Sequence, residues 1–451
     1  MAKIVPFRGL YFNQRKVSDL SRVIAPPYDA MTAKLQDLFC GRSPYNVAHL
    51  VRRNQADAEE EVPGRYGRAA RQFQEWQKNH LLLREKKSVL YLCEQAYEGQ
   101  EGEEAVRCGF MALARLEDFA SGVVKPHEAT VTEATADRFH LIKACSANFN
   151  PVISLYSDPC SVLNGLSRDI RQEPADIAAT DDEGVETRIW KVADPSMIAK
   201  IQALLHDKPL FIADGHHRYE TALAYRDFMR AKYPDYTGKE VFNYVMMFFA
   251  NMEQPGIRID PIHRGVTLPG SFDFDAFLDR LHSFFTVEVR QFDSGSEADR
   301  RRILAELADR GQKERVLALF AGDDRIFFLT LVDESVMEEF FASGTSRALR
   351  CLDVSILHKL VLQRLLGLSG EGGEKDSKIH FVTEAKTCFD GVKEGDFSLA
   401  FLLNPANLKE VREIANAGEK MPRMSTLFYP KIMSGLVINP IIDRETVDGQ
   451  A

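Results

Sequence analysis

Asp214, Gly215, His216, His217 and Arg218 are the densest run of chemistry-bearing residues in the chain. They stand between the apolar residues Leu210, Phe211 and Ile212 and a segment in which Tyr219, Ala222 and Leu223 recur at helical spacing. The pattern predicts strand, turn, helix. A helix start presents unsatisfied N–H groups and the positive end of the macrodipole, so an anion sits there naturally. Gly215 allows close approach of the backbone, Arg218 offers a planar multi-donor fork, and His216 and His217 can donate hydrogen bonds or transfer protons. These parts together suit phosphate. The plainer alternative is that Asp214 only caps the helix while the histidines pack, but cap, glycine, two histidines and arginine coincide at one junction. Zinc suits the turn poorly, because adjacent helical residues point about 100° apart and no HExxH pattern is present. Mg²⁺ beside a nucleotide asks only for a carboxylate or two, and Asp214 and Glu220 are near.

Other polar clusters stand elsewhere in the chain. Lys125, Pro126, His127 and Glu128 read as a loop that can supply a general base and phosphate contacts. Tyr28 and Asp29 follow two prolines that stiffen their turn, and Asp29 is a second carboxylate for base catalysis or Mg²⁺. His263 and Arg264 come just beyond a buried strand, a place from which side chains reach a cleft. Ser425, Thr426, Tyr429 and Lys431 lie in a proline-punctuated segment from which Lys431 can reach a phosphate. Asp353 and His358 are five apart on a helix and do not share a face.

The elements that position these residues follow from periodicity and punctuation. A helix is expected from about Arg65 to Lys78, then two strands, SVLYLCEQAY and AVRCGFMALARL, as an antiparallel pair. PVISLY, ETRIWKVA and NYVMMFFANM read as further strands, and SMIAKIQALLHD as an amphipathic helix. From about Gly265 helices and strands alternate, interrupted by a glycine-rich acidic linker at 369–376 expected to be exposed. Two α/β or α+β domains are therefore expected, 1–265 and 266–451.

The 57 Lys+Arg against 66 Asp+Glu give a net charge of −9, which disfavours nucleic acid as a partner. Seven scattered cysteines (Cys40, Cys93, Cys108, Cys145, Cys160, Cys351 and Cys388) without CxxC spacing read as reduced thiols. No signal-like N-terminus or membrane-length apolar run is evident, so a cytoplasmic location is expected.

The blocks IVPFRGLYFN, APPYDA, RSPYNVAHL, GVVKPHEAT, IADGHHRYETALAYRD and STLFYPKIMSGLVIN resemble those of a bacterial family catalogued as domain of unknown function 1015, often labelled ParB/RepB-like. The string ADGHHRYETA also resembles the phosphate-holding turn of the ParB/sulfiredoxin superfamily. Residue by residue, only Gly215, His217 and Arg218 match that turn. His216 replaces the cysteine that sulfiredoxin chemistry needs, and no catalytic carboxylate can be aligned.

The resemblance implies a ParB/sulfiredoxin-like nucleotide-binding core. It also implies a phosphotransferase that uses ATP or ADP with Mg²⁺ on a small hydroxyl substrate, with a free-serine kinase as the precedent. In that reading Asp214, Gly215, His216 and Arg218 hold phosphate, helped by His127, His263, Arg264 and Lys431. His217 balances developing charge, and Glu128 or Asp29 acts as base. The alternative is a ParB-like nucleotide-binding adaptor for DNA or partner proteins. The absence of a basic recognition helix after Gly265, together with the negative charge, favours the enzyme. The oligomeric state is left open.

Overall fold

The computed structural model describes residues 1–51, 63–99, 102–130, 132–368 and 378–447. They form two compact units, one made of Met1–Pro126, Thr130–Arg258 and the segment from Pro430 onward, the other of His127–Ala129 and Ile259–Tyr429. The sequence pattern placed the division at 265/266 and kept everything beyond it in the second domain. It carries no sign that the chain returns to the first unit at Pro430, because pattern reports local structure and not which sheet a segment joins. The linker expected at 369–376 lies outside the described residues.

The first unit is built on a nine-stranded mixed sheet. Its strands are β1 (Ile4–Val5), β2 (Leu90–Glu98), β3 (Glu104–Arg115), β4 (Val124–Lys125), β5 (Val152–Tyr156), β6 (Ile177–Thr180), β7 (Glu186–Val192), β8 (Leu210–Asp214) and β9 (Tyr244–Asn251). The order is β4-β8-β5-β9-β3-β2-β7-β6, with β1 on β3. β4 with β8 and β5 with β9 are parallel pairs, and the remaining pairs are antiparallel, including the expected β2–β3 pair. Along β9 every residue is buried, the mark of a strand covered on both faces. Its Val245, Met247 and Phe249 join Phe110, Ala112 and Ala114 of β3 in one core layer, at the period of two that a strand dictates.

Met197, Ile201 and Leu205 of one helix and Tyr219 and Ala222 of another pack into that layer. α1 (Pro63–Lys78) and α3 (Pro195–Leu205) fall where the periodicity places them. Asp194 starts α3 by accepting from the amides of Ser196 and Met197, with Pro195 at its first position. α2 (Thr132–Cys145) packs against α1 and against α4 (His216–Lys232). The sequence pattern assigned no helix to this segment. The run from Thr132 to Cys145 holds neither glycine nor proline, and helix-forming residues prevail over its threonines.

The second unit carries a six-stranded sheet of β10 (His263–Val266), β11 (Phe285–Gln291), β12 (Val316–Phe320), β13 (Arg325–Leu331), β14 (Ile379–Val382) and β15 (Leu399–Leu402). Their order is β11-β13-β12-β15-β10-β14, and every pair is antiparallel. The mixed α/β class expected from the sequence is the class observed, with the second unit in its α+β form. One expected helix, from Asp353 onward, keeps α geometry only over Asp353–Ile356 and continues as a π-helix over Leu357–Leu365. Apolar content shows that the segment is buried, not how many residues each of its turns takes.

Candidate phosphate-binding site

β8 ends at Asp214, Gly215 turns the chain, and α4 begins at His216, as the local pattern predicts. The pairing of β8 with β5 slips between Ile212 and Asp214, so Ala213 is an extra residue that re-aims the end of the strand. Gly215 has φ +92°, a left-handed conformation that a side chain resists. A Cβ there would also come within 2.8 Å of the Arg218 guanidinium. The close approach that Gly215 permits is thus made by Arg218, one turn into α4, folding back over the turn.

Arg218 donates to Asp214, to the Asn150 side-chain oxygen and to the carbonyl of Pro151. The Asp214 carboxylate is held from its other oxygen by Lys431 Nζ at 2.7 Å. Asp29, on the short helical turn Tyr28–Ala30, stands 3.5 Å from Arg218 and 3.8 Å from Arg138 of α2. Two carboxylates therefore meet three cations, which leaves one positive charge in excess.

Burial alone would raise the Asp29 carboxyl. Arg218, with Arg138 and Lys431, outweighs burial and the neighbouring Asp214 and holds it below the ordinary carboxylate range. Burial works against Asp214 as well, yet Lys431 and Arg218 hold it far below that range. Burial draws Arg138 down, whereas the carboxylates keep Arg218 and Lys431 raised against the same effect. All five groups are ionised at neutral pH.

The cluster borders a cavity of about 80 Å³ whose wall includes Tyr28, Asp29, Arg138, Asn150, Arg218 and Thr221. Arg138 and Arg218, both lining that cavity, each keep one buried guanidinium nitrogen, Nη1 and Nε, without a hydrogen-bond partner among the described residues. A second cavity, of about 160 Å³, shares Tyr28, Val51 and Leu141 with the first. Its wall holds Asp137, which accepts from the hydroxyls of Tyr28 and Tyr66 and from Arg65.

Of the residues singled out in the sequence, the structure gathers Asp29, Asp214, Gly215, Arg218 and Lys431. His216 is buried and His217 half-buried at the first two positions of α4. Glu220 accepts from the Thr130 hydroxyl. His127, Glu128, His263 and Arg264 belong to the second unit, where that unit's own groups engage them. Glu128 Oε1 accepts from the amides of Ser425 and Thr426 and from the Thr426 hydroxyl, and His127 Nε2 lies 2.9 Å from the same hydroxyl. His263 Nδ1 accepts from the Leu403 amide, and burial lowers this imidazole to about 4. Arg264 donates to the carbonyls of Ile262 and Met424 and to His358 Nε2. Grouping these four with the turn rested on residue type, which does not reveal what a buried side chain already binds.

Arg138 and Asn150 were missed in the sequence. The helical character of 132–145 could have signalled Arg138, whereas nothing local marks Asn150. Among the described residues no three His, Cys, Asp or Glu side chains are grouped as a metal cage. No described helix is long and apolar enough to cross a membrane.

The model of the family described as protein of unknown function (DUF1015) matches residues 4–355, and the chain belongs to that family. No curated protein matches it in sequence. Among solved structures, a conserved hypothetical protein from Pyrococcus furiosus is 12% identical, with a TM-score of 0.33 over 70% of this chain and 92% of its own. A free serine kinase in complex with AMP is also 12% identical, with a TM-score of 0.32 over 70% of this chain and 89% of its own. SbnI from Staphylococcus aureus, truncated at its C-terminus, is 12% identical with a TM-score of 0.35, over 72% and 85%.

Proposed function

We propose that this DUF1015 member binds the phosphate of a nucleotide at the Asp29, Arg138, Asp214, Arg218 and Lys431 cluster, and transfers a phosphoryl group to a small hydroxyl compound. The observation that carries the reading is that two guanidiniums lining one cavity, those of Arg138 and Arg218, each keep a buried N–H without an acceptor among the described residues. A buried donor left unpaired costs about 1–3 kcal/mol, and phosphate oxygens would satisfy both. The surplus positive charge selects the sign of the ligand.

Phosphoryl transfer asks mainly for positioning and charge stabilisation, and three cations in a low-dielectric wall supply both. The phosphorus–oxygen bond to the nucleotide breaks as one to the acceptor oxygen forms, and the hydroxyl proton passes to Asp29. Asp29 is the carboxylate with only long contacts, and the charge of an arriving phosphate would lift its depressed pKa towards that of a useful base. Mg²⁺ arriving with ATP or ADP would be held by phosphate oxygens and water and would neutralise charge on the transferred group, which leaves the Asp29 carboxylate to take the proton. L-serine is the first acceptor to offer, on the sequence resemblance of the turn.

The test is calorimetry with ATP and ADP in Mg²⁺, and mass spectrometry of products with serine and other small alcohols. Arg138→Met should weaken nucleotide binding by on the order of 10-fold or more, the worth of a hydrogen bond to a charged group. His217→Asn should lower turnover more than affinity. A folded wild-type protein that binds neither nucleotide nor inorganic phosphate would end the reading.

A further inference from the structure

Lys431 belongs to no helix or strand, yet its amine is placed 2.7 Å from Asp214, 217 positions away in the chain. Something must fix the backbone from which it reaches. Gln95 of β2 and Arg107 of β3 are directly opposite each other in the register. Their side chains are 0% and 1% exposed. Arg107 Nη2 donates to the Gln95 side-chain oxygen and to the carbonyl of Pro430. Gln95 Nε2 in turn donates to the carbonyl of Lys431 at 3.1 Å. On the far side, Asn150 Nδ2 donates to the carbonyl of Ile432 at 2.7 Å while its oxygen accepts from Arg218. Three successive carbonyls, those of Pro430, Lys431 and Ile432, are thus gripped by side chains of the first unit, of which Gln95 and Arg107 are buried.

The chemistry of this grip is unusual for a core. Arg107 is buried with neutral acceptors and the ring of Phe248, and among the described residues no carboxylate forms an ion pair with it. A buried cation held this way is expensive relative to an apolar residue. Burial draws Arg107 down to about 10 and leaves it charged at neutral pH. A packing role alone would be served by a leucine or methionine. A cation that holds a carbonyl and adds positive potential near Asp214 serves a site.

We infer that Gln95 and Arg107 are positioning residues: the cross-strand pair clamps Pro430 and Lys431 so that the Lys431 amine is delivered to Asp214. The use of Lys431 for phosphate rests on the proposed function above, but the clamp itself does not. It is tested without ligand, by competitive labelling of amines across a pH series, with mass spectrometry of the peptide that carries Lys431. Gln95→Leu and Arg107→Met should release Lys431 from Asp214 and lower its pKa by on the order of one unit, so about 10-fold more of the reactive free amine is present at a given pH.

Gln95→Glu keeps an acceptor for Arg107 and loses the donor to the Lys431 carbonyl. It should shift Lys431 by less and carries the test if Gln95→Leu does not fold. A merely structural role would lower the melting temperature of these variants with no change at Lys431. Folded Gln95→Glu and Arg107→Met proteins with wild-type labelling of Lys431 would overturn the clamp. A shifted Lys431 in a protein whose wild type binds no phosphate would keep the clamp and discard the phosphate reading.

Discussion

At the scale of single residues, the site depends on one glycine and on two carboxylates that cannot easily be protonated. Replacing Gly215 by alanine forces a side chain into a left-handed conformation and against the Arg218 guanidinium. The expected loss is about 1–3 kcal/mol of stability, read as a lower urea midpoint, with Arg218 displaced from Asp214. A midpoint equal to wild type would mean that the turn tolerates what its geometry forbids. Asp214 supplies a pH signature. A carboxyl held below its unfolded value adds stability that is complete above the unfolded pKa of about 4 and is lost as the pH falls through the folded value. Urea titrations of wild type and Asp214→Asn should therefore differ most near neutrality and converge as the pH drops below about 4. A gap that stays constant into acid would contradict the ion pairs described for Asp214.

At the scale of elements, α4 must be anchored if its first turn is to hold Arg218 still. Tyr219, fully buried, donates its hydroxyl to the Glu117 carbonyl at 2.8 Å and accepts from the Glu117 amide at 3.0 Å. Tyr219→Phe strips a partner from both backbone groups and should cost about 1–3 kcal/mol in chemical denaturation, while inorganic phosphate still binds to the folded protein. The helix that starts at Asp353 in the second unit has the opposite pH behaviour. Burial pushes the Asp353 carboxyl up to about 7, against the Asn404 amide that donates to it at 3.2 Å. The folded state then keeps a proton that the unfolded chain releases, so stability is undiminished below about pH 4 and falls as the pH rises to about 7. Asp353→Asn should abolish that decline, leaving the variant more stable than wild type at pH 8 by on the order of 1–3 kcal/mol. Parallel stability curves for the two proteins would show that Asp353 ionises freely.

At the scale of the whole molecule, the chain closes its first unit with its last segment. Ile438 exchanges two backbone hydrogen bonds with Leu10, and Glu445 accepts from Arg84 at 2.6 Å. A protein ending at Tyr429 would lack these staples and Lys431 together. It should melt at a lower temperature than the full chain, in the transition that belongs to the first unit, and should bind neither phosphate nor nucleotide. Retention of wild-type phosphate affinity in that truncated protein would remove Lys431 from the site.

The strand–turn–helix around Gly215 was legible from sequence because everything that specifies it is local: a short apolar run, a glycine, and apolar spacing near 3.6. The same holds for the β2–β3 pair, α1, α3 and most elements of the second unit. Asp29 and Lys431 were recognisable as candidates by residue type, but their meeting with Asp214 and Arg218 was not. Asn150 is 68 positions from the arginine it braces, and Gln95 is 336 from the carbonyl it holds. Such partners are selected by the order of strands in the sheet and by the return of the chain at Pro430. Glu128, His127, His263 and Arg264 were candidates by the same criterion of residue type, and their partners in the second unit, such as Thr426, Leu403 and Met424, were equally beyond the reach of local pattern. Local sequence determined the turn that can face an anion. Only the tertiary structure decided which charges surround it, because a buried charge takes its partners from whatever the fold brings within a few ångströms.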